Sequence, residues 1–379
     1  MGSYAYLPLE RVVFGQPAAQ AAAEEAARIG ARRVFVVASK SLSRKTSAIK
    51  DIAQALGSSY AGLFDECVAH TPWPSVIAAA DAVRAASPDL ILTVGGGTPI
   101  DTVKILQLVL AHGARVAEDL DRLRTPELKE AKPSPVRQVA IPTTLSGAEF
   151  SNLGGGTDPR TRIKHSFMGA DIGARSVILD PAITLHTPEW LWLSTGIRGV
   201  DHAVEALCSV DAHPYCDGLA LHALRLFAQG LPRTQAAPQD LTARLLCQHA
   251  SWLAASTIAR VNYGASHGIG HALGAAADVP HGHTSCIMLP HVMRYNEPAT
   301  ADKQKRIAEA LGQPKKSAAD AVAALVAALG QPSTLREAGV KREQLAAVAA
   351  ASMKNRWVLS NPRPIRSEQD VLRLLEAAW

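Results

Sequence analysis

The chain has 379 residues, of which 47% are hydrophobic and 19% are charged, with a formal net charge of +5. This length exceeds that of a typical single core and predicts two domains. The basic residues form no long run and do not alternate with aromatic residues, which argues against a nucleic-acid partner. The modest positive charge is compatible with a small anionic ligand.

Neither a membrane span nor a secretory signal is predicted. The apolar runs are far too short to cross a bilayer, and the N-terminus lacks a basic segment followed by a long apolar one. The five cysteines are an odd number, scattered along the chain without a CxxC pair. This usage favours reduced thiols and a cytoplasmic location.

The first half of the sequence alternates short apolar segments with amphipathic ones. The continuous apolar character of the strand that ends at residue 94 is typical of a parallel strand covered on both faces. Strand–helix alternation at this spacing predicts a doubly wound α/β domain. The predicted strands are 12–14, 33–38, 60–64, 89–94, 137–141 and 177–180, and the predicted helices are 18–29, 46–56, 74–86 and one from residue 95 onward.

Beyond residue 180 the periodicity becomes almost entirely helical. The predicted architecture is an N-terminal α/β dinucleotide-binding domain, residues 1–180, and an all-helical catalytic domain, residues 181–379. On one of the later helices, Asp201 and Glu205 are compatible with an ordinary polar face. Helix breaks are predicted at Pro188, Pro214, Pro232, Pro280 and Pro314.

A glycine-rich loop joins the fourth predicted strand to the next helix. Gly95, Gly96 and Gly97 let the backbone approach a phosphate with no Cβ in the way. Thr98 can cap the helix or reach a phosphate oxygen, and the helix N-terminus adds N–H groups and a positive dipole end. The motif is neither GxGxxG nor Walker A. The alternative is a turn without a ligand, but the flanking strand and helix favour phosphate binding.

Two other strands are predicted to end at the same edge of the sheet. Thr143, Thr144, Ser146 and Ser151 crowd hydroxyl groups after the fifth strand, where open α/β sheets bind ligands. The alternative is a turn that satisfies its own backbone.

The second strand ends at Ser39, where dinucleotide folds carry an acidic residue that binds ribose hydroxyls and repels a 2′-phosphate. Because Ser39 is followed by Lys40, both NADH and NADPH stay open as cofactors.

Histidines concentrate in the segment 262–296, which holds five of the thirteen. His267 and His271 are four residues apart and share one helix face, and a turn can fold His281 back toward them. His202 lies on another predicted helix. Imidazoles that converge from two helices make either a metal site or a proton-handling site.

The chain resembles the iron-containing (group III) alcohol dehydrogenase family along its whole length, in GGGTPIDTVK, IPTTLSGAE, DPAITLHTPEW, TGIRGVDHAVEAL and SHGIGHALGAAADVPHG. Within the family, AHTPWPSV, DHAVEAL and the NPRP…AAW ending are most similar to maleylacetate reductases. The resemblance implies a dehydroquinate synthase–like fold, a homodimer, and hydride transfer in a cleft between the two domains. It also implies that residues 95–98 hold the cofactor pyrophosphate, with further cofactor contacts from Asp101, Thr143, Thr144, Leu145 and Lys164.

One position departs from the family pattern. Metal-dependent members take their ligands from an aspartate, a histidine four residues later, and two further histidines. The histidines match His202, His267 and His281, and His271 matches the family histidine near the nicotinamide, but Arg198 stands in place of the aspartate. A guanidinium offers only donors and repels a cation. Although three histidines and a water can hold Zn²⁺, we predict a site without an essential metal.

The predicted function is NAD(P)H-dependent reduction of a small anionic substrate, as in the conversion of maleylacetate to 3-oxoadipate during aromatic compound degradation. Arg198, His202, His267 and His281 would stabilise the developing enolate, and Arg198 can also bind a carboxylate. His271 or His281 would deliver the proton. The alternatives are a metal-dependent alcohol dehydrogenase, a lyase on the dehydroquinate synthase–like scaffold, and a non-catalytic dinucleotide-binding protein.

Overall fold

The computed structural model describes residues 4–130, 132–161 and 163–379. The chain divides into two compact units, Met1–Thr187 and Pro188–Trp379, whereas the sequence-based boundary lies at residue 180. No helix among the described residues is both long enough and apolar enough to cross a lipid bilayer. All five cysteines are free thiols.

The first unit contains a six-stranded sheet and a separate two-stranded hairpin. Its strands are β1 (Arg11–Phe14), β2 (Val34–Ala38), β3 (Tyr60–Phe64), β4 (Leu90–Gly95), β5 (Arg137–Pro142), β6 (Leu153–Asp158), β7 (Ile163–Met168) and β8 (Ser176–Leu179). The large sheet has the order β1-β8-β5-β4-β2-β3, and each of its pairings is parallel. Strands β6 and β7 pair antiparallel.

Helices cover both faces of this sheet. They are α1 (Ala18–Ile29), α2 (Lys40–Lys45), α3 (Ala48–Leu56), α4 (Trp73–Ala86) and α5 (Gly97–Ala111). Val34 and Val36 of β2 pack into the cluster that includes α1 and α3. Phe35 and Val37 point to the opposite face and pack into the cluster that includes α4 and α5. Burial on both sides is why the strand is apolar at every position, and the predicted α/β fold is confirmed.

The hairpin β6–β7 was not predicted, because a run of three glycines is a poor strand former. Contacts with α5 and with the paired strand β7 require those glycines. A Cβ on Gly156 would lie 2.8 Å from Ile105 Cδ1, and one on Gly155 would collide with the side chain of Lys164. The backbone N–H of Gly155 also donates to Asp101 Oδ2 at 3.1 Å. Strand β6 is therefore stabilised by tertiary packing against α5 and β7 rather than by local propensity.

The second unit, every residue of which is described, contains helices and no strand, as predicted. Its α-helices are α6 (Glu189–Cys208), α7 (Pro214–Ala236), α8 (Leu241–Ala255), α9 (Ala265–Ala277), α10 (His281–Ala310), α11 (Ala318–Ala328), α12 (Leu345–Ser352), α13 (Arg356–Leu359) and α14 (Glu368–Ala377). Helix α6 is buried on all sides, since every residue from 192 to 208 is buried. A helix in that position is central to its unit.

The helix break predicted at Pro232 is wrong, because α7 continues through it. Proline removes one helical hydrogen bond, but α7 packs closely against α8 at this point. A Cβ on Gly230 would lie only 2.5 Å from Cys247 Sγ. This packing stabilises the helix despite the missing bond. The other four prolines stand next to a helix start or in a loop, namely Pro188, Pro214, Pro280 and Pro314.

Candidate active site

The glycine loop lies at the carboxyl edge of the sheet, where β2, β4 and β5 end side by side. Gly95 has a φ of +150°, and a Cβ there would lie 2.7 Å from Pro99 Cγ and 3.2 Å from Ser39 Oγ. A Cβ on Gly96 would lie 2.9 Å from Thr144 Cγ2. The structure therefore brings Ser39, the glycines and Thr144 together. Side chains at the glycine positions would fill the space through which a phosphate can reach the backbone.

Helix α5 begins at Gly97, with Gly96 as its N-cap and with no side-chain cap. Thr98 therefore lies inside the first helical turn, and the prediction that it caps the helix is wrong. The N-cap lies two residues earlier than Thr98, at Gly96, because the glycine backbone itself makes the turn. The first-turn N–H groups of an uncapped helix are donors with a positive dipole end, which suits a phosphate.

Lys104 connects two of the predicted cofactor-binding residues. Its ammonium is completely buried and lies 3.3 Å from Asp101 Oδ1 and 3.1 Å from Ser151 Oγ, and it donates to the carbonyl of Leu153 at 2.8 Å. Burial lowers the pKa of Lys104, and the charge of Asp101 opposes that shift. Asp101 and Ser151 thus have structural partners, and a contact of either with a cofactor stays a prediction.

The other predicted cofactor-binding residues differ in how much side chain they expose. Leu145 is completely buried, and Thr143 is nearly so. The carbonyl of Thr143 accepts a hydrogen bond from Thr187 Oγ1 at 2.7 Å. Lys164 is half-buried on β7, across from Thr157. Of these predicted residues, Lys164 has the side chain best able to meet a ligand.

Glu149 is a buried acidic residue near this group that sequence reasoning missed. It is 2% exposed, and its Oε2 has no hydrogen-bond partner among the described residues. Burial raises the pKa of Glu149 to about 7, although Lys104 lowers it. Nothing in a loop rich in hydroxyl groups signals that its one carboxyl will be buried, because the burial comes from chain segments far apart in sequence.

In the second unit, Glu205 of α6 binds the start of α9. It accepts backbone N–H groups from Gly264 at 3.0 Å, Ser266 at 2.8 Å and His267 at 3.3 Å. It also lies 2.8 Å from Nδ1 of the His267 ring. A carboxylate at a helix N-terminus satisfies N–H groups that have no helical partner and interacts well with the dipole. Glu205 therefore fixes both the helix start and the orientation of the imidazole.

Asp201, one turn earlier on α6, is completely buried beside the same histidine. Its Oδ1 lies 3.4 Å from His267 Nδ1, and its Oδ2 accepts hydrogen bonds from Ser266 Oγ at 2.8 Å and Ser285 Oγ at 2.6 Å. Burial would raise the pKa of Asp201, but His267, Arg198 and Ser285 together hold it below its ordinary value. The two acidic side chains of α6 belong to the site and do not form a solvated face.

Arg198 is 8% exposed and forms one hydrogen bond within the described protein, from Nη1 to Ser285 Oγ at 3.1 Å. It forms no direct ion pair with a carboxylate of the described residues; Ser285 stands between it and Asp201. Burial lowers the pKa of Arg198, and the carboxylates of Asp201 and Glu205 oppose the shift, so the guanidinium stays charged. Its other N–H groups are donors for an anion.

His202 lies against His267, with ring centroids 4.8 Å apart and planes inclined by 26°. Burial lowers the pKa of His202 well below its ordinary value, and the neighbouring His267 and Arg198 lower it further. His202 is therefore neutral at neutral pH. Nδ1 of His202 and Nε2 of His267 have no hydrogen-bond partner among the described residues, so both nitrogen atoms are available to a ligand.

Trp357 connects these rings to the other two predicted histidines. Its ring lies 5.7 Å from that of His267 and 5.0 Å from that of His271. His281, the first residue of α10, lies 5.9 Å from His271, and Asn355 Nδ2 lies 3.3 Å from His271 Nδ1. The structure thus brings the five predicted catalytic residues into one region of the second unit. Trp357 and Asn355 were not predicted, since neither stands in a motif.

Family profiles cover nearly the whole chain. Residues 9–181 match the profile described as iron-containing alcohol dehydrogenase, and residues 192–379 match that of the Fe-containing alcohol dehydrogenase family, C-terminal. The chain belongs to the iron-containing alcohol dehydrogenase family. Its members are dehydrogenases and reductases, so the protein is an oxidoreductase, as the sequence motifs predicted.

Proteins similar to this family member match it along nearly its full length. Dehydrogenase ALT3 of Alternaria alternata is 35% identical over 91% of this chain and 99% of its own. Maleylacetate reductase 2 of Cupriavidus pinatubonensis is 33% identical over 97% of this chain and 94% of its own. The crystal structure of maleylacetate reductase from Rhizobium sp. strain MTP-10005 has a TM-score of 0.83 at 29% identity, covering 100% of this chain and 99% of the other. The predicted similarity to maleylacetate reductases is confirmed.

The family name raises the question of whether these residues fit an iron ion. Among the described residues, the one set of three metal-capable side chains whose ligand atoms lie within 4.8 Å of one another is Asp201, Glu205 and His267. The carboxylates of that set already accept hydrogen bonds from hydroxyl and backbone donors. His202 and His267 stack nearly parallel, and a buried Arg198 adds a positive charge. The positive charge of Arg198 and the hydrogen bonds of the carboxylates therefore oppose a catalytic iron at this set.

Proposed function

We propose that this protein reduces a small carboxylate with a nicotinamide cofactor, in a reaction of the maleylacetate to 3-oxoadipate type, without an essential metal. The observation that carries the proposal is Arg198, a buried guanidinium that has, among the described residues, one hydrogen bond and no carboxylate in direct contact. A buried cation with unused donors calls for an anionic ligand. The full-length similarity to maleylacetate reductases supports a carboxylate as that ligand.

The cofactor would be held by the first unit. Gly95, Gly96 and Gly97 and the uncapped start of α5 would bind the pyrophosphate through backbone N–H groups. Ser39 stands beside this loop, in the place that contacts the adenosine ribose in dinucleotide folds. Bound NADH or NADPH supplies a hydride to the substrate.

Arg198 would bind and orient the substrate through its carboxylate, since a guanidinium can donate two parallel hydrogen bonds to a carboxylate. Reduction of a carbon–carbon double bond conjugated with a ketone places negative charge on the ketone oxygen. Nε2 of His267 has no hydrogen-bond partner in the described part of the chain, and it would donate a hydrogen bond to that oxygen when protonated. Such a fixed donor stabilises the charge that develops in the transition state.

The second step would be proton delivery to carbon, which converts the enolate into the saturated ketone. His271 or His281 would supply this proton, because their rings lie 5.9 Å apart beside the arginine–histidine group. His202, kept neutral by burial, would contribute a polar wall without competing for the substrate's negative charge. The hydride and the proton together add two hydrogen atoms across the double bond.

The alternative is a metal-dependent alcohol dehydrogenase that acts on small alcohols or aldehydes. The buried set of Asp201, Glu205 and His267 favours it, because their ligand atoms are close together and carboxylate and imidazole bind Fe²⁺ and Zn²⁺. In that case the metal would polarise the substrate oxygen. The positive charge of Arg198 argues against this alternative.

One assay separates the two functions. Protein freed of metal by chelation and checked by elemental analysis is supplied with NADH or NADPH and either maleylacetate or a short aldehyde, and the loss of absorbance of the reduced cofactor is followed. We expect turnover of maleylacetate that added Fe²⁺ or Zn²⁺ does not increase. Turnover of aldehydes alone, and only after metal is restored, would overturn the proposal. A cytoplasmic location and a homodimer remain predictions.

A further inference from the structure

Four charged side chains lie beside the place proposed for the adenosine ribose. Lys40 and Arg44 are on α2, directly after Ser39, and Asp65 and Glu66 directly follow β3. Lys40 Nζ donates to Glu66 Oε2 at 2.8 Å, and Arg44 Nε donates to Asp65 Oδ2 at 2.9 Å. Arg44 also contacts Glu66. Each cation beside Ser39 is therefore paired with a carboxylate from the neighbouring strand end.

The sheet order explains why these groups meet. Strand β2 lies between β4, which leads into the glycine loop, and β3, and all three run parallel. Their carboxyl ends therefore share one edge, and Ser39 Oγ lies 3.2 Å from the position of a Cβ on Gly95. No acidic residue stands at the end of β2, but Asp65 and Glu66 follow the end of β3, the neighbouring strand at the edge of the sheet.

We infer that Asp65 and Glu66 make the proposed cofactor site prefer NADH to NADPH, although the end of β2 carries serine followed by lysine. This inference rests on the proposed function, because it concerns which nicotinamide cofactor that function uses. A 2′-phosphate would need Lys40 and Arg44 as partners. Both are already neutralised by the two carboxylates, which also repel a dianionic phosphate.

The ionisation of these carboxylates supports the inference. Hydrogen bonds from Arg44 and Ser43 lower the pKa of Asp65, and a hydrogen bond from Lys40 lowers the pKa of Glu66. Both are therefore charged at neutral pH. Lys40 and Glu66 are about half exposed, at 54% and 52%, so salt screens their interactions. The preference should accordingly be moderate and should weaken as ionic strength rises.

Binding of the two cofactors to the full-length protein tests this directly. Dissociation constants for NADH and NADPH are measured by cofactor fluorescence, in the absence of substrate, for the wild type, Glu66→Gln and Asp65→Asn. The matched control is Asp81→Asn, which removes a similarly exposed carboxylate from an ion pair with Arg84 on α4. Glu66→Gln is the primary variant, because Asp65 is less exposed and its replacement can disturb folding.

We expect the wild type to bind NADH more tightly, and Glu66→Gln to reduce the ratio of the NADPH to the NADH dissociation constant by roughly three- to thirtyfold at low salt. Adding Lys40→Ala to that variant should reverse the gain, since the freed ammonium is the new phosphate partner. The control should leave the ratio unchanged. The inference is overturned if the wild type binds NADPH more tightly than NADH, or if neither Glu66→Gln nor Asp65→Asn changes the ratio. Neither of these outcomes contradicts the proposed function. Failure of the wild type to bind either cofactor contradicts the proposed function as well.

Discussion

Glu205 and His267 are joined by a hydrogen bond of 2.8 Å between Oε2 and the ring Nδ1, and the same carboxylate accepts three backbone N–H groups at the start of α9. The bond occupies Nδ1 of the imidazole and leaves Nε2 for a ligand. A carboxylate on α6 thus determines which nitrogen of a predicted catalytic residue on α9 can act.

Glu205→Ala should destabilise the protein strongly. It leaves three backbone N–H groups and an imidazole without their buried acceptor, which should cost about 2–4 kcal/mol of unfolding free energy. Urea unfolding followed by circular dichroism measures the change. Glu376→Ala, which removes an exposed carboxylate on α14, is the control and should have little effect. A stability loss no larger than the control's would mean that the carboxylate does not fix α9.

Arg198→Ala should reduce turnover by roughly 10²–10³, because a fixed charged donor to the substrate is lost. Binding of the nicotinamide cofactor should remain near its wild-type value, since we propose that the glycine loop of the first unit holds the cofactor pyrophosphate. Arg198→Lys should restore little activity, because an ammonium cannot donate two parallel hydrogen bonds. Steady-state kinetics and cofactor titration provide the readouts.

Arg244→Ala is the matched control for Arg198→Ala. Arg244 is also a buried arginine, 4% exposed, and it stacks on Trp192 at 4.7 Å. Its removal should lower stability through lost packing while turnover per folded molecule is retained. If both arginine variants lose turnover to the same degree, the effect of Arg198→Ala reports general damage to the fold and the proposed role is lost.

Gly96→Ala should weaken cofactor binding, because the new Cβ would lie 2.9 Å from Thr144 Cγ2 and would block the approach of a phosphate. We expect a loss of at least about tenfold in affinity, which is about 1.4 kcal/mol. Adding Thr144→Ser removes the colliding methyl group and should recover thermal stability. It should not recover binding, and full recovery of both would show that the glycine serves packing alone.

The buried carboxyl of Glu149 should make stability depend on pH. Because burial raises its folded-state pKa from 4.5 to about 7, the folded protein binds a proton that the unfolded chain releases between these values. The stability that this bound proton contributes is fully present below pH 4.5 and is lost as the pH rises through about 7. The loss is at most about 3 kcal/mol.

Glu149→Gln should flatten this profile, since the amide does not titrate. Unfolding midpoints of the wild type and the variant are compared between pH 5 and pH 8, with the exposed Glu130→Gln as the control. Lys104 and Asp101 face the same buried region, and they are present in all three proteins. A wild-type profile no steeper than that of Glu149→Gln would show that this carboxyl is ionised throughout the range.

Much of the first unit could be predicted from local pattern. The apolar run that became β4 was predicted to be a strand covered on both faces, and the glycines at its end were predicted to allow a close backbone approach. The hairpin β6–β7 could not be predicted in the same way. Its glycines carry no strand preference. Gly154 and Gly156 are explained by side chains of α5 that lie against them, and Gly155 by the side chain of Lys164 on β7.

The histidines were also accessible to sequence reasoning, because the spacing of His267 and His271 places both on one helical face. The roles of Asp201 and Glu205 were not accessible. A pair of acidic residues four apart on a helix is usually solvated, and here α6 is buried along its length. The connection from Asp201 through Ser285 to Arg198 joins residues from two helices that are far apart in the chain.

The sequence by itself determined the two-part architecture and the glycine-rich turn between a strand and a helix, because both depend on residue type and short-range spacing. The resemblance to the family marked Arg198 as the replacement of an acidic residue. Only the tertiary structure decided which groups are buried together: the carboxylates around His267, Lys104 against Asp101 and Ser151, and the acidic pair beside Lys40 and Arg44. The physical reason is that desolvation and charge pairing depend on distances across the fold. Those distances join helices and strand ends that no local pattern in the chain relates to one another.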